Sequence, residues 1–101
     1  MGESKMVHHI VMWKFKPEIE ESKKPELKKA MEVNLKSLVG KVPGLLTVDF
    51  VTDPISSSTH DIALVTTMEK AEDIKVYGSH PEHVKVADTY VRPYTTERAC
   101  L

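Results

Sequence analysis

The stretch Tyr77-Gly78-Ser79-His80-Pro81-Glu82-His83 sets a phenol and two imidazoles close together along the chain. Imidazoles exchange protons near neutral pH, and a phenol can donate to a developing oxyanion. A residue before proline avoids helical angles, and proline itself suits the first helical position. The pattern therefore predicts His80 as a helix cap, Pro81 as the first helical residue and His83 in the same turn. Glu82 sits where the helix dipole favours negative charge. Tyr77 closes the preceding helical piece, across a break expected at Gly78. A kinked junction can bring Tyr77 and His83 into one pocket, beside free helix-end amides that favour an enolate or phenolate. The same residues also admit an architectural role, with His80 a cap and Tyr77 a buried ring bonded to backbone. His83, if it points inward, needs a polar partner.

The first strand, MVHHIVMWKFK over 6–16, carries two more histidines. His9 shares a face with Val11 and Trp13, and His8 shares the other with Ile10 and Met12. One face lies under helices and the other against a partner sheet. His60 falls in a polar turn and is expected to be exposed. No His-Glu-x-x-His spacing and no cysteine pair supports zinc, and the single Cys100 leaves no intramolecular disulfide.

At 101 residues the chain makes one domain, expected over 6–101 after a flexible, polar N-terminal segment 1–5. Fourteen Lys and Arg against 15 Asp and Glu give no electrostatic footprint for nucleic acid or a membrane surface. The apolar run Ile10–Trp13 is too short for a signal-peptide core, so a soluble cytoplasmic protein is expected.

The elements that must position the cluster follow from periodicity. Both faces of the first strand are largely apolar, and Pro17 ends it. In ESKKPELKKAMEVNLKSLVGKV, Ser22 is a candidate cap and Pro25 suits the first turn. Leu27, Ala30, Met31, Leu35, Leu38, Val39 and Val42 recur at helical spacing until Pro43-Gly44. LLTVDFVTD and DIALVTTME form a hairpin across a polar turn. A second helical region runs to about Val91, and TTERACL closes as a strand. The order is βαββαβ, an α+β ferredoxin-like fold with a four-stranded antiparallel sheet. One sheet face is covered by helices, and the first strand with Val48 and Phe50 supplies apolar residues for both. A homodimer packing sheet to sheet into an α/β barrel covers the open face.

MVHHIVMWKFK, VPGLLTVDF, DIALVTTME and above all YGSHPEHVKVADTYVRPY resemble the stress-responsive α/β-barrel (Dabb) domain family from about Val7 to Cys100. The resemblance implies a dimeric ferredoxin-like barrel, for most members without an assigned reaction. It implies a small organic molecule bound between helices and sheet. Some plant members are polyketide cyclases that use a tyrosine and a histidine as acid and base. Those two residues resemble Tyr77 and His83, with His9 as a pocket histidine. Val11, Trp13 and His80 are further expected contacts. Met31 and Leu35 stand where the cyclases carry aromatic residues, and Ile62 stands where they carry another histidine. The resemblance thus admits a cyclase or lyase acting on a polyketide-like or β-keto substrate. It implies no obligatory cofactor. A weakly held Mg2+ is implied on the backbone carbonyls of Val39, Val42 and Leu45.

Overall fold

The computed structural model describes residues 6–101, and the expected flexible segment 1–5 lies outside them. The β-branched and aromatic run Val7–Phe15 forms β1. A 3-10 turn over Glu21–Lys23 then leads into α1, Lys24–Lys36, with Pro25 in its first turn. Ser22 lies inside that 3-10 turn and does not cap α1. The residue before α1, Lys23, is itself helical at φ −91° and ψ −19°, so no extended cap position exists. The apolar stripe extends to Val42, but the α-helix ends at Lys36. Gly40 adopts φ +93°, a left-handed conformation that a right-handed helix cannot continue through. Tight turns carry the chain on, with the Lys41 and Val42 amides both donating to the Leu38 carbonyl at 2.9 and 3.1 Å.

Strands β2, Leu45–Val51, and β3, Ile62–Met68, pair across the polar turn. The second helical region divides into α2, Glu72–Ser79, and α3, Pro81–Val86. A π-helical turn over Ala87–Val91 and a 3-10 turn over Arg92–Tyr94 precede β4, Thr95–Cys100. The four strands are antiparallel in the order β2-β3-β1-β4, the ferredoxin-like arrangement.

The core lies between the helices and one sheet face, where Val11, Trp13, Leu64 and Phe50 meet Met31 and Leu35. Val48 and Phe50 both belong to this covered face. The apolar surface of the opposite face therefore comes from elsewhere. Ile10 pairs with Val65, and Met12 lies between Ala63 and Ala99.

The β1–β4 ladder contains a bulge. Lys14 pairs with Thr96 and Met12 with Ala99, so Trp13 alone opposes both Glu97 and Arg98. Glu97 adopts φ +50° there, a costly value for a residue with a side chain.

Gly44 begins the approach to β2 at φ +84°, and a Cβ on it would land on the Asp73 carboxylate. Asp73 is buried, and its Oδ2 accepts from the Lys70 amide at 3.1 Å, tying down the start of α2. Gly44→Ala is expected to cost about 2 kcal/mol or more, a Tm fall of roughly 10 °C, from strain and the clash together. In an Asp73→Ala background the same change costs less, which thermal melts of the four proteins would read as coupling.

Candidate active site

The helical break falls at His80, two residues later than Gly78, which stays helical. His80 takes extended angles, φ −65° and ψ 132°, as the following proline demands. Its Nδ1 accepts from the Glu82 amide at 3.1 Å, so this imidazole serves as the cap of α3. The restarted helix lays His83 against Tyr77, with ring centroids 4.2 Å apart and planes at 42°. His83 Nδ1 lies 3.3 Å from the Gly78 carbonyl. A carbonyl only accepts, so Nδ1 carries the proton and Nε2 is the basic nitrogen of the neutral ring.

Between the sheet and these helices lies a cavity of about 590 Å³, within the usual range for small-molecule sites. His9, Val11, Trp13 and Leu64 form its floor, and Leu35 and Ile74 supply apolar wall. Tyr77, Gly78 and His83 bring the kinked junction to it, and the π-helical turn adds Ala87 and Val91. The Thr95 hydroxyl donates to the Val91 carbonyl at 2.9 Å, securing the end of that turn. Arg92, Arg98 and Cys100 complete the lining.

Among the described residues, two lining groups are buried without a hydrogen-bond partner, the Tyr77 hydroxyl and His9 Nδ1. Tyr77 is 3% exposed, so the backbone bond that a structural tyrosine would make is missing. Burial pushes its phenol up to about 12. Burial also lowers His83, against the opposing pull of the Gly78 carbonyl, and the nearby Arg92 and Arg98 lower it further. His9 is lowered by burial and then by the Arg98 charge. At neutral pH the site therefore holds a protonated phenol beside a neutral imidazole.

Of the other expected contacts, His9, Val11, Trp13 and Leu35 line the same cavity as the pair. Met31 is fully buried and does not line it, and neither does the capping His80. Ile62 is a core residue. His8 lies on the open face with Nδ1 3.3 Å from the Thr67 hydroxyl. His60 is half exposed, beside the Thr59 hydroxyl at 2.9 Å. Sequence reasoning missed Arg92, Arg98 and Cys100. Simple alternation from Thr95 would have placed Glu97, not Arg98, on the covered face.

The carbonyls implied for Mg2+ do not form a charged cage. The Val42 carbonyl already accepts from the Leu45 amide at 3.3 Å, and Leu45 lies in β2. Among the described residues no group of three His, Cys, Asp or Glu could hold a metal. A hard cation favours carboxylate ligands that these backbone groups lack. Among the same residues no helix is long and apolar enough to cross a membrane.

A two-layer ferredoxin-like domain with an internal ligand-sized cavity is the class that fold and site define. The profile of the stress-responsive A/B barrel domain (Dabb) matches residues 7–101, and the chain belongs to that family. Olivetolic acid cyclase from Cannabis sativa is 32% identical over 84 residues, covering 83% of this chain and 82% of the cyclase. A dimeric ferredoxin-like protein of unknown function from Bacteroides fragilis superposes with a TM-score of 0.86 at 24% identity, over 98% of this chain and 96% of its own. A hydroxynitrile lyase from Passiflora edulis shares the fold with a TM-score of 0.75 at 15% identity, over 98% and 92% of the two chains.

The shifted groups set a stability profile. His9 and His83 bind protons less readily folded than unfolded, so stability falls as pH drops below the ordinary histidine value of 6.5. Tyr77 holds its proton more tightly when folded, so stability falls again as pH rises from 10.0 toward about 12. Tyr77→Phe is expected to lose the Tyr77 share of the alkaline decline. It should also gain about 1 kcal/mol at neutral pH by removing an unpaired buried hydroxyl. Urea titrations of both proteins across pH would check this, and a neutral-pH loss of stability would mean the hydroxyl is satisfied.

Proposed function

We propose that the protein is a homodimer in which each protomer binds a small organic carbon acid and acts on it through Tyr77 and His83. The reaction class is that of a cyclase or lyase. The observation that carries this reading is the Tyr77 hydroxyl, buried and unpaired in a cavity that it shares with His83 and His9. An unmet buried hydroxyl costs about 1–3 kcal/mol, and a ligand oxygen would satisfy it. The cyclase relative at 32% identity supports the same direction.

The chemistry follows from the two protonation states. His83 Nε2 takes a proton from a carbon next to a carbonyl. The C–H electron pair becomes the new C=C bond, and the carbonyl becomes an enolate whose oxygen accepts from the Tyr77 hydroxyl. The enolate carbon then attacks a second carbonyl of the same substrate, and protonated His83 returns its proton to the resulting alkoxide. Run backwards, the same steps break a carbon–carbon bond. Val11, Trp13, Leu35 and Leu64 fit an apolar carbon skeleton.

The dimer rests on the uncovered sheet face, where Ile10, Met12, Ala63, Val65 and Ala99 form a contiguous apolar strip. The Bacteroides fragilis neighbour is described as dimeric. A second copy packed sheet to sheet leaves the helix-side cavity in each protomer. Light scattering should give about twice the chain mass, and Ile10→Glu should give monomers. A wild-type monomer at high concentration would remove the dimer.

Binding screens with β-keto and phenolic compounds, followed by turnover assays, test the reaction. His83→Ala and Tyr77→Phe should each lower kcat by about 10²–10⁴ with little change in KM. Turnover that ignores both substitutions would end the mechanism. Tight binding without turnover would leave a carrier of the same molecule.

A further inference from the structure

Arg98 enters the cavity by an expensive route. With plain alternation along β4, Thr95 opposite Phe15 would put residue 97 on the covered face and residue 98 on the open one. The bulge opposite Trp13 shifts that phase, so Cys100 opposes Val11 and Arg98 joins it in lining the cavity. Glu97 is sent the other way, to Lys14 Nζ at 3.6 Å on the open side. The positive φ of Glu97 is the strain that this re-aiming requires.

The resulting charge is unbalanced. Arg92 is ion-paired with Asp88, whereas Arg98 makes no ion pair among the described residues. Among the described residues no Asp or Glu lines the cavity. One unopposed guanidinium at the edge of an apolar chamber matches a ligand with one negative charge and a carbon body. A dianionic phosphate would need more cations than this wall offers. Resting on the small-molecule cavity proposed above, we infer that Arg98 anchors a carboxylate, so that the ligand is a small organic acid anion. The planar guanidinium grips both carboxylate oxygens, which orients the rest of the molecule toward Tyr77 and His83.

The test uses 2-naphthoate and its neutral methyl ester, titrated into the wild-type protein, Arg98→Gln and Arg98→Lys by calorimetry. The wild type should bind the carboxylate about ten- to a hundredfold more tightly than the ester, the usual gain from a charge-assisted pair. Arg98→Gln should abolish that preference with ester affinity unchanged, and Arg98→Lys should restore part of it. Arg98 is exposed, so both variants should melt near the wild-type Tm. In the wild type, NMR titration should show His83 gaining basicity in the naphthoate complex relative to the ester complex, and Arg98→Gln should lose this difference. Equal affinity for both probes in the wild type, or a preference that survives Arg98→Gln, overturns the inference and leaves the cavity standing. Failure of both probes to bind would overturn the cavity reading with it.

Discussion

The contact between Tyr77 and His83 depends on the chain turning at His80. In an unbroken helix, residues six apart are about 9 Å apart along the axis and lie on different faces, so Tyr77 and His83 could not touch. Pro81 imposes an extended residue before it and starts a new helix after it. Two backbone groups are reassigned at that point, and a third keeps its helical bond. The Glu82 amide, which would have bonded the Gly78 carbonyl, is taken by His80 Nδ1 instead. The Gly78 carbonyl is freed and receives His83 Nδ1. The His80 carbonyl still accepts from the Val84 amide at 2.9 Å, so α3 forms at once. The tilted ring contact and the tautomer are thus two consequences of one proline.

The meeting of Tyr77 and His83 is legible in the sequence because proline acts locally, whereas the tautomer depends on the freed Gly78 carbonyl. The His80 cap follows from the residue types alone, and the βαββαβ element order follows from alternation and turn signals. What the sequence concealed was set by tertiary geometry. The end of α1 is hidden because Leu38 and Val42 keep helical spacing while Gly40 has already left the helix. Val48 and Phe50 were available to either face on composition, and the β2 register alone placed both beneath the helices. Met31 shares its helix face with Leu35, yet only Leu35 reaches the cavity, a matter of depth that periodicity does not encode. Arg98 was hidden more deeply. Bulges advertise themselves through glycine, and here the left-handed position is Glu97.

The cavity concentrates three features that would each be disfavoured alone, together with one solvated, unpaired charge. Among the described residues the Tyr77 hydroxyl and His9 Nδ1 lack partners and Arg98 lacks a counter-ion, and Glu97 holds a strained angle. The two buried unpaired groups and the strained backbone cost about 1–3 kcal/mol apiece against a total stability of about 5–15 kcal/mol for a domain of this kind. Had they arisen from loose packing, they would be scattered. Three of the four are side chains that line one chamber, and the fourth is the backbone that aims one of them.

Their electrostatics are also coupled. Burial lowers the basicity of both His9 and His83, and the Arg98 charge adds to the lowering of each. In the proposed reaction an anion seated on Arg98 would screen that charge, so His83 would become a stronger base when the ligand is docked. The Tyr77 phenol, raised by burial alone, gains nothing from Arg98 and keeps its proton throughout. A neutral molecule of the same shape would fill the chamber and leave His83 as weak as before. Discrimination in the proposed reaction would then fall on the proton-transfer step as well as on binding, because the contact proposed to recognise the anion would also tune the proposed base.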